Sequence, residues 1–218
     1  MQQSYVYKSN VHKESDLDYL LYFPKDYDKN RNWPLIVCLH GADERGNNID
    51  QLKAAGLPKE IEEGMNLPFI VLSPQCPKTS FWIKESDFVI DLIDFIALSY
   101  CVDIKRIYLT GYSMGGNGTW YISMMHPDKF AAIAPICGEG NPNLAKFISH
   151  IPIWTFHGAK DKIVKLHETE EMVSSLNKYG AKVSFTIYPV GHHNVWEETY
   201  RNIDLYKWFL EHSILSAT

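Results

Sequence analysis

The stretch RIYLTGYSMGGNGTW, Arg106 to Trp120, sets a serine between glycines directly after a run of apolar, β-prone residues. The run up to Gly111 reads as a buried strand and the residues after Met114 as a helix, so the chain has to turn sharply through Ser113. Glycines mark any tight turn, and a serine beside them can simply cap the helix that follows. A strand-to-helix corner with small residues on both flanks does more: it relieves crowding at a strained bend and leaves the hydroxyl exposed above the sheet. The helix N-terminus also offers the Met114 N–H and the positive end of the helix dipole to a developing negative oxygen. Ser113 is therefore expected to be a nucleophile.

Outward from that corner the same pattern recurs. PLIVCLHG, PFIVLSPQ, FAAIAPICG and IPIWTFHG are continuous apolar runs bounded by proline or glycine, as expected of strands covered on both faces. Between them lie helical patterns. In DFVIDLIDFIALSY, Phe88, Leu92, Phe95 and Ile96 share one face while Asp87, Asp91 and Asp94 share the other. A second helix runs from about Leu166 to Gly180, which suits the left-handed position after a helix end, and KVSFTIYP follows with Val183, Phe185 and Ile187 alternating against polar neighbours. IDLYKWFLEH reads as the last helix. Residues Tyr5 to Phe23 are β-prone and polar by turns, and FPKDYDKNRNWP ends them, which predicts an antiparallel hairpin at a sheet edge. Strands alternating with helices predict an α/β fold: one mostly parallel sheet wrapped on both faces, with its site at the carboxyl ends of the strands.

The 218 residues suffice for one substantial core, so a single domain over residues 1–218 is expected. A net charge of −5 with dispersed basic residues argues against nucleic acid as a partner. No apolar run approaches the roughly 20 residues of a membrane helix, and MQQSYVYKSN lacks the parts of a signal peptide. The expected location is the cytoplasm, with no membrane partner. Cys38, Cys76, Cys101 and Cys137 lie far apart, and Cys38 and Cys137 fall in strand-like runs as small hydrophobes rather than a disulfide framework. Neither CxxC nor HExxH spacing occurs, so no metal is expected.

A serine hydroxyl is a weak nucleophile until a base takes its proton, and the base needs a third group to orient it. FHGAKDKIV ends one strand with Asp161 in a loop, and YPVGHHNVW ends the next with His192 and His193 in a loop. Asp161 read alone is equally a helix cap. A second oxyanion donor is expected from an earlier strand end, and LHGADERG supplies it: Gly41 lets the backbone turn so that the Ala42 N–H points inward. His40, Glu44 and Arg45 are expected to brace that loop. Most of the six tryptophans read as packing, with Trp82, in the polar PKTSFWIKESD loop, as the candidate for substrate binding and Trp120 as core. His126, His150, His157 and His167 carry no functional signal of their own.

Taken together, LHGADERG, LPFIVLSPQCP, RIYLTGYSMGGNGTW, FAAIAPICGEG and HNVW resemble the esterase and predicted-peptidase branch of the α/β-hydrolases, which includes polyhydroxybutyrate depolymerase-like and feruloyl or acetyl-xylan esterase-like proteins. The resemblance runs from about Pro34 to Leu210. It implies an α/β-hydrolase fold with Ser113, Asp161 and one of the 192–193 histidines as a triad, and Ala42 and Met114 as oxyanion donors. It departs from the family pattern at Asp43, where glycine is usual, and in the doubled histidine. Matching the His-Asn-x-Trp spacing makes His193 the base, with His192 the alternative. The expected activity is a cofactor-free carboxylesterase acting on small or carbohydrate-linked esters through an acyl-enzyme. Only EGNPNLAKFISH separates two of the strands, so no large cap domain is expected. A serine peptidase and a catalytically silent binding protein on the same fold are the competing readings.

Overall fold

The computed structural model describes residues 2–8 and 16–214. Among these residues eight strands form one sheet: β1 (Gln2–Lys8), β2 (Asp16–Tyr22), β3 (Trp33–Leu39), β4 (Ile70–Pro74), β5 (Val102–Tyr112), β6 (Ala132–Ile136), β7 (Ile153–Gly158) and β8 (Val183–Tyr188), in the spatial order β1-β2-β4-β3-β5-β6-β7-β8. The pairs from β4 through β8 are parallel, while β2 runs antiparallel to both β1 and β4. The expected antiparallel edge is present; the connection joining its two strands lies outside the described residues.

Among the described residues six α-helices cover the sheet: α1 (Gly56–Glu62), α2 (Ser86–Ser99), α3 (Met114–Met125), α4 (Leu166–Lys178), α5 (Trp196–Arg201) and α6 (Ile203–Leu210). Strand side chains alternate between the two faces. Leu35, Val37 and Leu39 of β3 pack with Ile107 and Leu109 of β5 under α2, α3 and α4, where Phe88, Leu92, Trp120 and Met172 close the core. Ile36 and Cys38 point the other way, with Tyr108, Ala134 and Phe156, towards Leu57, Tyr200, Leu205 and Phe209 of α1, α5 and α6. Residues buried on both sides explain why these strands read as unbroken apolar runs rather than as alternation.

Two expectations shift. Phe95 is 41% exposed, because it leans outward onto the Tyr7 ring of β1, 5.0 Å away between centroids, instead of into the α2 core face. Ile187 is 40% exposed because β8 is an edge strand. The short α1 and α5 carry too few residues to show a helical period, so neither is legible in the sequence pattern. Between β6 and β7 there is a single 3₁₀ segment, Pro142–Ile148, in place of any cap domain. Among the described residues no helix is long and apolar enough to cross a membrane.

Candidate active site

The corner between β5 and α3 is as tight as its glycines require. A Cβ on Gly111 would lie 2.4 Å from the Gly115 carbonyl oxygen, and one on Gly115 would lie 2.0 Å from the Leu39 carbonyl oxygen. Any larger residue at either position would push α3 off β3 and β5. Between them Ser113 adopts φ 54° and ψ −120°, a conformation that L side chains rarely take, and its N–H donates to the Ile136 carbonyl at 3.0 Å. The strain is held by strands on both sides, and it puts the hydroxyl above the carboxyl edge of the sheet.

At the end of β3, His40 is 5% exposed, and its Nε2 accepts the Cys76 N–H at 2.8 Å. Nδ1 therefore carries the proton of the neutral ring and donates to the Gly41 carbonyl at 2.6 Å. Burial pushes His40 down to about 4, so the ring stays neutral. In a trans peptide the next N–H points opposite to the carbonyl, so pinning the Gly41 oxygen inward against His40 turns the Ala42 N–H the other way. Arg45 ties down the far side by donating to the Ala42 and Ser80 carbonyls at 2.9 and 3.1 Å, in place of pairing with Glu44. Among the described residues neither the Ala42 nor the Met114 N–H has a protein acceptor. Asp43 is exposed.

The loops after β7 and β8 are stitched together by the Ala159 N–H on the Tyr188 carbonyl (3.0 Å) and the Lys160 N–H on the Gly191 carbonyl (2.9 Å). The side chain of Asp161 is fully buried. Its Oδ1 accepts the Ile163 and Val164 N–H groups at 2.8 and 3.1 Å, which orders the loop ahead of α4 without capping that helix, whose N-cap is Lys165. Its Oδ2 accepts Nδ1–H of His193 at 2.6 Å, and Nε2 of the same ring stands 2.8 Å from Ser113 Oγ. Because Nδ1 faces a carboxylate it holds the proton, which leaves the Nε2 lone pair to accept the serine O–H. His192, exposed on the same loop, has no side-chain hydrogen bond, ion pair or ring contact among the described residues.

Three side chains from three strand ends thus form one hydrogen-bonded chain, an arrangement that can take a proton from a hydroxyl and return it to a leaving group. Cys137, Asp161 and His193 also bring donor atoms within 4.8 Å of one another. Asp161 and His193 already bond each other there, and burial pushes the Cys137 thiol up, so this donor set suits proton transfer rather than a cation.

Trp82 does not line the site. It is fully buried, packs edge-on against His40 at 4.9 Å, and donates its indole N–H to the His40 carbonyl at 2.9 Å. A Cβ on Gly118 would touch its Cβ at 2.6 Å, so the side chain sits directly on α3. Its neighbour Phe81 is the exposed ring of that loop, at 48%. In a polar loop the two adjacent aromatics could not be told apart, and the one with an indole N–H to satisfy is the one inside. Two residues given no role by sequence reading touch the triad: Trp196 packs edge-to-face on His193, and His157 stands 3.3 Å from Asp161 Oδ2. The HNVW spacing held the signal for the first; for the second, HGAKD placed a histidine four residues before the aspartate without showing that both are buried.

Comparison with known proteins agrees with this geometry. The model of the dienelactone hydrolase family matches residues 83–204. The chain is 31% identical over 144 residues to the bifunctional acetylxylan esterase/xylanase of Neocallimastix patriciarum, covering 64% of this chain and 21% of that protein. It is 23% identical over 177 residues to a probable feruloyl esterase C of Aspergillus flavus, covering 79% of this chain and 64% of that one. A solved thermostable esterase superimposes with a TM-score of 0.85 at 33% identity, over 97% of this chain and 63% of the other. The chain thus spans less than two thirds of the length of each of these three proteins.

Proposed function

The chain belongs to the dienelactone hydrolase family of α/β-hydrolases, and from that membership we propose that it is a serine carboxylesterase cleaving short acyl or aryl esters, carbohydrate-linked ones included, through an acyl-enzyme. The observation that carries this reading is the unbroken chain Ser113 Oγ, His193, Asp161 at a strained strand-to-helix corner. His193 Nε2 takes the serine proton as Oγ attacks the ester carbonyl, and the imidazolium so formed is held by the Asp161 carboxylate. The Ala42 and Met114 N–H groups receive the oxyanion at the N-terminus of α3. His193 then protonates the leaving alkoxide, and water repeats the sequence on the acyl-enzyme. The identity to an acetylxylan esterase and to a feruloyl esterase supports acyl groups carried on sugars. The short Pro142–Ile148 segment, with no cap among the described residues, supports an open site that accepts a bulky alcohol side. Four unpaired cysteines support a reducing, cytoplasmic setting.

A panel of aryl acetates, acetylated and feruloylated sugars and aminoacyl amides tests the proposal with purified protein. Ester turnover well above amide turnover is expected, together with fluorophosphonate labelling of Ser113. Faster amide cleavage would make the protein a peptidase, and neither turnover nor labelling would leave it a binding protein.

A further inference from the structure

His157 lies at the end of β7 with no exposed surface, directly behind the acid of the triad. Its Nε2 faces two acceptors and no donor: the Val164 carbonyl at 2.9 Å and Asp161 Oδ2 at 3.3 Å. Nε2 must therefore carry a proton. Burial lowers the ring's affinity for a second one, so Nδ1 is a lone pair and takes the Thr169 hydroxyl proton at 2.8 Å, in preference to the Gly138 carbonyl that lies 3.4 Å from the same hydroxyl. Thr169 is itself fully buried on α4. The result is a neutral imidazole locked in one tautomer, with its N–H edge against the oxygen that binds His193.

Given the esterase reading above, we propose that His157 is a positioning residue of the triad: its Nε2–H is shared between the Val164 carbonyl and Asp161 Oδ2, fixing the carboxylate and dispersing its charge. Asp161 is shut off from water, so each N–H beside it comes from the protein: Ile163 and Val164 on Oδ1, His193 on Oδ2, and His157 off-axis on the same Oδ2. Val164 is held through both its N–H and its carbonyl, so His157 also sets the loop that presents the carboxylate. Without it the carboxylate loses one of its four N–H neighbours and part of the hold on its loop, and keeps more of its negative charge. The imidazolium of His193 is then held more strongly, and the neutral base needed for attack is reached only at higher pH. The other ionisable groups around the pair are the Cys137 thiol at the end of β6, exposed Lys160 and Lys162 on the Asp161 loop and exposed His192 beside the base; none of these is altered in the variants below.

Two variants and one spectrum test the assignment. Glutamine places an amide N–H where Nε2 was, and leucine removes the donor while filling the space. H157L is expected to lose about tenfold in kcat, the low end for a hydrogen bond to a charged group, with KM little changed. Its acid limb of kcat/KM should move up by about half a pH unit, and H157Q should restore both. Unchanged kcat and pH limb in H157L would overturn the proposal, as would an H157Q as impaired as H157L with no shift of the limb. Nitrogen-15 spectra of the unsubstituted protein decide the question even if H157L does not fold. They should show His157 protonated only on Nε2 at about pH 7 and above, and an Nδ1–H or doubly protonated ring there would refute the assignment. Those spectra need no turnover, so failure of the esterase reading, seen as no hydrolysis and no labelling of Ser113, is told apart from failure of this one.

Discussion

His193 and Trp196 meet edge to face, their ring centroids 5.5 Å apart and their planes at 87°, at the point where the β8 loop enters α5. Trp196 in turn stacks on Tyr112, the residue before the nucleophile, at 4.5 Å and 25°. His193 is thus buttressed by the same aromatic column that rests on Tyr112, the last residue of the strand leading into Ser113. Replacing Trp196 with alanine removes the buttress without touching a proton-bearing group. A loss of about 1 kcal/mol from the aromatic contacts, beyond area burial, is expected, with kcat falling more than KM rises. Steady-state kinetics with a thermal melt check it, and a change in KM alone would show that Trp196 serves substrate binding instead.

The doubled histidine separates into one residue inside the hydrogen-bonded chain and one outside it. His193 contacts both Ser113 and Asp161, whereas His192 is exposed beside it. His193→Ala is expected to lower kcat by at least about a thousandfold, and His192→Ala by less than about threefold, since a surface change away from the contacts is nearly neutral. The reverse outcome would mean that the loop shifts by one residue in the working enzyme.

Ser113 holds both the chemistry and the strain. Ser113→Ala should abolish ester hydrolysis and keep the fold, because only the hydroxyl is lost. Ser113→Gly should be equally inactive yet more stable by roughly 1 kcal/mol, since glycine takes φ 54° without cost. Chemical denaturation of the two inactive variants side by side measures the difference, and equal midpoints would show that the bend stores no strain.

Stability should fall with acid through His40. Burial depresses its folded-state pKa from 6.5 to about 4, so between those values the unfolded chain binds a proton that the folded protein does not. The contribution is therefore complete above about pH 6.5, is lost as the pH falls to about 4, and is constant below; its size is on the order of 3 kcal/mol. His157, whose ionisation burial also disfavours, adds in the same direction. Urea midpoints at about pH 7 and pH 5 should differ less in His40→Gln than in the unsubstituted protein; an identical pH slope would clear His40 of the effect.

The amino-acid sequence by itself determined the strand runs, the order serine, aspartate, histidine at successive strand ends, and the corner at Ser113, because each of these is written in neighbours. Gly111 and Gly115 are demanded by contacts that any residue at a strand-to-helix bend would make, and the unbroken runs PLIVCLHG and IPIWTFHG follow from burial on both sheet faces. The HNVW spacing pointed to His193 because that register matches the His-Asn-x-Trp block of the family the chain resembles, and in the structure its Trp196 packs on the His193 ring. Only the tertiary structure decided which of Phe81 and Trp82 faces inward, since that depends on His40 and Gly118, brought there by β3 and α3. It alone placed His157 against Asp161. The spacing of those two residues is compatible with many loops, and it becomes a contact only because Val164 and Thr169 close around the ring from a loop and a helix that the local sequence does not position. Hydrophobic period and turn chemistry act over a few residues and are legible in order along the chain. The partner of a buried polar atom is set by which elements the sheet brings together, and that is a property of the packed molecule.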